Sequence, residues 1–283
     1  MIKLNSGKAN ADKAIRKIAY QPFGEIYCRN EMETRVILEE IVVDKLYFQE
    51  GVSVSPGDIV LDVGANIGVF TLCAAKQGAH IYAFEPIPPT FEVLQHNIHL
   101  HGFDNIAQAR NIGLSNRAEE KLMFHYPEWS VCDSWIVQDD WIEFMTENWE
   151  NTLDLFQIAD PDRYTAIRSL GSKSLQEGAV REIIERASAS QVQIECKFDT
   201  LSGVIAQENI QSIGLLKLDA EFADWEILNG VKAEDWNRIR QVAMEVHVQS
   251  DAAPISKFLR ERGFRHVAGR QLAMGTSFVW ARK

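Results

Sequence analysis

The sequence predicts an α/β protein built on one doubly wound, seven-stranded sheet, and three observations predict it. The first is an apolar run, Ile59 to Leu61, followed by Asp62, then by the turn residues Gly64, Asn66 and Gly68, and then by apolar Val69, Phe70 and Leu72. That order reads as a buried strand, a tight turn and a helix beginning near Gly68. The second is alternation. His80–Phe84, Ile106–Ile112, Ile213–Asp219 and Ile239–Val246 are apolar stretches of strand length, separated by segments with helical spacing, and His266–Ala268 and Ser277–Ala281 follow as two final strands. Strands interleaved with helices give a sheet covered on both faces. The third is a set of polar residues placed where strands end: Asp62, Glu85, Asp219 with Glu221, and His247. In an open α/β sheet the carboxyl ends of the strands face one crevice, and ligands bind there.

A chain of 283 residues holds one large α/β domain or two small ones, and an apolar fraction of 46% supplies a sizeable core. Forty Asp plus Glu against 29 Lys plus Arg give a net charge of −11. That balance, with no basic run, argues against nucleic acid or an anionic membrane as partner. Cys28, Cys73, Cys132 and Cys196 are far apart and form no C-x-x-C pair. This argues against a metal cluster or disulfide framework and fits a reducing cytoplasm, the expected location. No apolar run is long enough to span a membrane, and Met1–Asn5 carries no signal-peptide core.

Residues 1–55 read as an N-terminal helical lid. A short helix is expected near Ala11–Ile18. A longer one is expected from Asn30 to Leu46, where Ile37 and Ile41, Leu38 and Val42, and Val42 and Leu46 recur at helical spacing. This helix either covers the ligand or packs on the sheet edge. Pro86, Pro88 and Pro89 delay and then start a helix carrying Phe91, Leu94 and Ile98 on one face; His96, His99 and His101 on it read as solvated positions. The third strand runs out at Gly113 and Leu114, which are either ligand contacts or a plain turn. A catalytic domain is expected over 56–283, interrupted at about 126–191. There Trp129, Trp135, Trp141, Trp149 and a helical stretch around Leu175–Ala187 predict a cap over an acceptor site. Lys121–His125 reads as a short strand before it. Val192, Ile194, Cys196 and Phe198 alternate with polar residues, which predicts an edge strand closing the insertion.

The turn is D-x-G-A-N-x-G, not G-x-G-x-x-G, so it lacks the glycine pattern that packs on a pyrophosphate. Glu85, one strand later, can accept two hydrogen bonds from a ribose diol. A ligand with an adenosine and no phosphate fits both features, and S-adenosylmethionine is the candidate. Asp62, Gly64, Asn66, Gly68, Glu85, Gly113 and Leu114 form the expected cofactor set; the alternative is a strand-turn-helix with incidental glycines. A bulky residue at Gly64 is expected to block the ligand and leave the fold intact. Methyl transfer needs an acceptor in line with the sulfonium methyl, and a hydroxyl acceptor must lose a proton. His247, with an intrinsic pKa near neutrality, is the candidate base, and Asp219 or Glu221 would orient its ring or hold the acceptor. The structural alternatives are a strand-end histidine and acids that cap the next helix. A divalent ion on Asp219, Glu221 and His247 ranks lower, because a single acid pair is evident, so no metal is expected.

Three stretches carry a resemblance: Val60-Leu-Asp-Val-Gly-Ala-Asn-Ile-Gly68, Ala83-Phe-Glu-Pro86, and Leu216-Lys-Leu-Asp-Ala-Glu221 with Glu226-Ile-Leu-Asn-Gly230. Together they resemble the FkbM family of S-adenosylmethionine-dependent methyltransferases over about residues 56–247. Tyr82 to Phe91, Tyr126-Pro-Glu-Trp-Ser130 and Glu245-Val-His247 look like the subgroup that serves polyketide and nonribosomal peptide assembly lines, mostly O-methyltransferases. The resemblance implies a class I methyltransferase fold, the cofactor, and a hydroxyl or enol acceptor on a natural-product intermediate, free or tethered to a carrier protein. The family pattern commonly has Gly after the D-x-E pair; here it is Phe222. The rival readings are methylation of a sugar or other small-molecule hydroxyl, a nicotinamide-dependent oxidoreductase, and a non-catalytic module that kept the cofactor site.

Overall fold

The structure, a computed structural model, describes residues 14–21, 23–127, 133, 138–272 and 276–283. It opens with a β-hairpin, β1 (Arg16–Tyr20) and β2 (Gly24–Cys28). Helix α1 (Glu31–Leu38) continues into a π-helical turn, Glu39–Val43, and a short 3-10 turn, Leu46–Phe48. Then come β3 (Ile59–Val63), α2 (Val69–Lys76), β4 (His80–Phe84), α3 (Pro88–Leu100), β5 (Ala107–Arg110), β6 (Gly113–Ser115) and β7 (Glu119–His125). Four helices follow: α4 (Gln138–Glu147), α5 (Trp149–Ala159), α6 (Pro161–Arg168) and α7 (Lys173–Ser188). The chain ends with β8 (Val192–Thr200), α8 (Leu201–Gln207), β9 (Leu215–Leu218), α9 (Asp224–Asn229), β10 (Gln241–Val246), α10 (Ala252–Glu261), β11 (His266–Gln271) and β12 (Ser277–Arg282).

The main sheet has seven strands in the order β11-β12-β10-β9-β3-β4-β5, as the alternation predicts. All its pairings are parallel except those of β12, which runs antiparallel to both neighbours. Successive strand residues point to opposite faces. Val60, Ile81 and Leu215 pack into a core with α2 and the N-terminal segment; Leu61, Leu216 and Met244 pack into a second core with α8, α9 and α10. Burial on both faces is why these strands read as continuous apolar runs.

Three expectations change. Residues up to 13 lie outside the described residues, but Arg16–Tyr20 is a strand where a helix was expected near Ala11–Ile18. Gly24, at φ 109, helps shape the return of the hairpin, and Ile18 pairs with Ile26, so short-range helical spacing gives way to cross-strand packing. The hairpin is tied down by Asn97 of α3, which accepts from the Tyr27 N–H at 2.7 Å and donates to the carbonyls of Tyr27 and Ile67 at 3.0 and 2.8 Å. β8 is not an edge strand. It lies in the middle of a three-stranded sheet, parallel to β6 and antiparallel to β7. Alternation reports one wet face and one dry face; it does not report position in the sheet. Finally, Gly113 and Leu114 belong to strand β6, neither a turn nor the end of β5.

The four helices between β7 and β8 carry their own core of Tyr126, Met145, Leu153, Phe156, Ile167, Val180 and Ile184. Trp149 packs against that core. Trp129, Trp135, Cys132 and the Trp141 side chain lie outside the described residues. Among the described residues no helix is long and apolar enough to cross a membrane.

Candidate active site

A cavity of about 710 Å³ opens at the carboxyl ends of β3, β4, β9 and β10. The N-terminal segment walls it with Ile37, Glu40, Ile41 and Tyr47, and the four-helix insertion with Phe144, Met145 and Phe156. The Asn30–Leu46 segment therefore covers the crevice. Asn30 starts its helix by accepting from the N–H groups of Met32 and Glu33.

The glycine turn is built on close approach. Gly64 has φ +70, and a Cβ there would lie 1.6 Å from the carbonyl oxygen of Asp219. The ends of β3 and β9 thus touch, and the expectation that a larger residue at 64 spares the fold is wrong. Gly68, at φ +92, starts α2; a Cβ on it would come 2.6 Å from Leu94 Cδ1. Gly68 and Asp62, both in the expected cofactor set, are not among the residues that line the cavity. Asp62 is fully buried, accepts from Thr71 Oγ1 at 2.5 Å, and pairs with Lys217 Nζ at 3.1 Å. Lys217, 2% exposed, also donates to the carbonyls of Gly64 and Val63 at 2.6 and 3.2 Å. Asp62 thereby fixes the turn through Lys217.

Gly64, Asn66, Glu85, Gly113 and Leu114 do line the cavity. Asn66 sits at φ 49, a left-handed conformation that asparagine tolerates. One carboxylate oxygen of Glu85 accepts the Asn66 N–H at 3.0 Å and the other accepts the Ile87 N–H at 2.9 Å. Burial pushes the Glu85 carboxyl up to about 8, against the lowering effect of those two N–H groups. Each oxygen has room for one further bond, so the residue fits a ribose diol.

The other half of the cavity floor is charged. His247 is 5% exposed, and its Nε2 lies 3.5 Å from Glu221 Oε1 and 3.7 Å from Asp219 Oδ1. Its Nδ1 lies 3.5 Å from Asp224 Oδ2, which also accepts the His247 backbone N–H at 3.0 Å. Burial disfavours the imidazolium, but the carboxylates of Glu221 and Asp224 outweigh it and hold the pKa well above the ordinary 6.5. The surroundings of the ring therefore favour positive charge there, where the intrinsic value alone suggests a base poised near neutrality. Asp219, Glu221 and His247 do come together, as the strand ends predict.

Four partners were missed. Tyr47 donates to Asp219 Oδ2 at 2.6 Å from a separate segment, and no local sequence signal marks it. Lys217 is a charge inside the run Leu215–Leu218, which is a readable anomaly. Glu245 of β10 stands two residues before His247, which directly follows the strand, and both line the cavity. Burial and the Asp219 carboxylate push it up to about 8. Asp133, also on the wall, pairs with buried His125 at 2.8 Å. Phe222 takes φ +63 beside Glu221 at φ +20, and its ring packs edge-on against Phe144 of α4 and tilted against His247.

Comparison with known proteins shows the family. The profile of the Methyltransferase FkbM domain matches residues 62–266. The 31-O-demethyl-FK506 methyltransferase FkbM of Streptomyces tacrolimicus is 33% identical over 246 residues, covering 84% of this chain and 85% of that one. The AMB antimetabolite synthetase AmbE of Pseudomonas aeruginosa is 30% identical over 262 residues, 87% of this chain but 11% of the synthetase. Methyltransferase sdnD of Sordaria araneosa is 29% identical, with 84% and 85% coverage. The crystal structure of methyltransferase FkbM from Methylobacillus flagellatus superposes with a TM-score of 0.50 at 12% identity, covering 84% of this chain and 47% of that one. The seven-stranded sheet is that of class I methyltransferases, and the chain belongs to the FkbM methyltransferase family.

Proposed function

We propose that the chain is an S-adenosylmethionine-dependent O-methyltransferase acting on a hydroxyl or enol of a natural-product intermediate, free or carrier-tethered. The observation that carries this is one cavity holding the Gly64 turn and Glu85 on one side and Asp219, Glu221 and His247 on the other. The names of its relatives support the acceptor class: one methylates a demethyl-FK506, and another is a synthetase of which this chain matches a small part. S-adenosylmethionine bound there supplies an electrophilic methyl group. Glu85 takes the ribose hydroxyls, Gly64 lets the backbone approach, and Asn66, Gly113 and Leu114 line the adenosine side.

On the acceptor side His247, Glu221 and Asp219 form one coupled group that receives the hydroxyl proton. The helical segment before residue 55 and the insertion at about 126–191 enclose the reaction and keep water out. Calorimetry with S-adenosylhomocysteine and with NAD, followed by a mass-spectrometric screen of hydroxyl acceptors, free and carrier-bound, tests the reading. Binding of S-adenosylhomocysteine alone and a product heavier by one methylene on oxygen are expected. Preference for NAD, or no methylated product from any acceptor class, would sink it.

A further inference from the structure

We propose that Asp219, Glu245 and His247 hold one divalent transition-metal cation, of the Mn²⁺ or Zn²⁺ kind, on the acceptor side of the cavity. One ligand atom from each lies within 4.8 Å of the other two. Neighbouring ligands around an ion with bonds of about 2.0–2.3 Å stand about 3–3.7 Å apart, so side-chain shifts of up to about 1 Å close the set. Strand geometry delivers it: Glu245 lies near the end of β10, His247 directly follows that strand, and Asp219 directly follows the neighbouring strand β9.

Three further observations point to a cation. First, His247 is nine-tenths buried, its Nε2 faces the cavity with carboxylates at 3.5 to 3.7 Å, and its Nδ1 has no hydrogen-bond partner, only Asp224 at 3.5 Å. A buried imidazole pays heavily for missing bonds unless something else takes its lone pair. Second, the ligands are already aimed. Asp224 lies at Nδ1 while Nε2 faces the acids, and Tyr47 occupies Asp219 Oδ2 at 2.6 Å, leaving Oδ1 toward His247. Carboxylate–histidine pairing and hydrogen-bonded carboxylates are how proteins orient metal ligands. Third, charge is unbalanced. The Glu245 carboxylate has neither hydrogen bond nor ion pair among the described residues, and Glu40 and Glu221 also face the cavity. Lys217, the one buried lysine there, is closest to Asp62. Two carboxylates with one imidazole suit Mn²⁺ or Zn²⁺ better than Mg²⁺ or Ca²⁺, which favour all-oxygen shells.

Binding of the ion stands on these residues alone; its use, fixing the acceptor oxygen as a Lewis acid, rests on the methyl-transfer reading above. The test titrates metal-stripped protein with MnCl₂, read by loss of the free-ion electron paramagnetic resonance signal. Pulsed measurements on the bound ion look for coupling to an imidazole nitrogen. One Mn²⁺ per chain with nitrogen coupling is expected. Glu245→Gln and Tyr47→Phe should each weaken it by ~10-fold or more while still binding S-adenosylhomocysteine. Mn²⁺ that stays free, binding without nitrogen coupling, or equal binding in both variants would overturn the proposal. Displacement of Mn²⁺ by equimolar Mg²⁺ or Ca²⁺ would overturn the transition-metal assignment. Should a variant fail to fold, the spectrum of the parent protein decides. Mn²⁺ binding without S-adenosylhomocysteine binding counts against the methyltransferase reading alone.

Discussion

The two halves of the cavity floor are built on opposite principles. Around Gly64 and Glu85 the polar atoms find partners: Glu85 takes two backbone N–H groups, and Asp62 is paired with Thr71 and Lys217. Around His247 the groups are charged and stand 3.5 Å or more apart. The first half is a finished mould whose shape exists before a ligand arrives. The second is an electrostatic site that an acceptor, a proton or an ion has to complete. Lys217 and the Gly64–Asp219 contact join the two, so the comparison can be broken from the middle or from either end.

The largest effect is expected at the junction. Gly64→Val places a side chain where only 1.6 Å separates Cβ from the Asp219 carbonyl, at a backbone angle that β-branched residues avoid. Both halves should fail together, seen as loss of a cooperative melt; a folded variant lacking only cofactor affinity would restore the simpler view of the turn. Lys217→Met comes next. It strands Asp62 in the core and should cost about 3–5 kcal/mol in denaturant unfolding, since the buried charge loses its partner. A loss below about 1 kcal/mol, the range of a surface pair, would mean that the lysine does not link the halves.

Glu85→Ala acts on the mould alone. Affinity for S-adenosylhomocysteine should drop by about 2 kcal/mol, read by calorimetry, while metal binding at His247 stays put. Equal affinity would remove Glu85 from the cofactor site. The most gradual effect is with pH. Glu85 is raised from 4.5 to about 8 in the folded chain, so the native state binds the extra proton. Its contribution is complete below pH 4.5 and fades as pH rises through about 8, by at most about 1.4 kcal/mol per pH unit. Urea midpoints should fall over that window, and less steeply in Glu85→Gln. Identical slopes in the two proteins would show that Glu85 titrates normally.

The same contrast explains what could be read from the chain. The mould was legible because it is local: a strand, a glycine turn, a helix and an acid one unit later carry their geometry with them. Even so, spacing did not show that Asp62 and Gly68 stand off the cavity wall, because it does not say whether a side chain faces the crevice or the layer below it. The charged half was legible only in outline. Asp219, Glu221 and His247 could be placed at strand ends, but the pKa of His247 depends on Asp224 and Glu221 at once, and intrinsic values carry no such term. Tyr47 reaches Asp219 across 172 positions, a contact that periodicity cannot show. Glu245 was within reach, since a period of two put it beside His247. The hairpin was missed because strands that short pack against a neighbour and have little pattern of their own.

The strand order has a consequence for how the molecule is made. Lys217 of β9 bonds the end of β3 across 154 positions, and the four-helix insertion lies inside that span. Closing such a loop costs entropy that grows only with the logarithm of its length, about 0.6 kcal/mol per doubling. The insertion has a separate hydrophobic core, so its local contacts can form ahead of the slow β3–β9 pairing. An insertion that folds by itself within a long closing loop can be exchanged for another at little thermodynamic penalty. The mould for the cofactor is then inherited intact while the wall facing the acceptor is free to diverge.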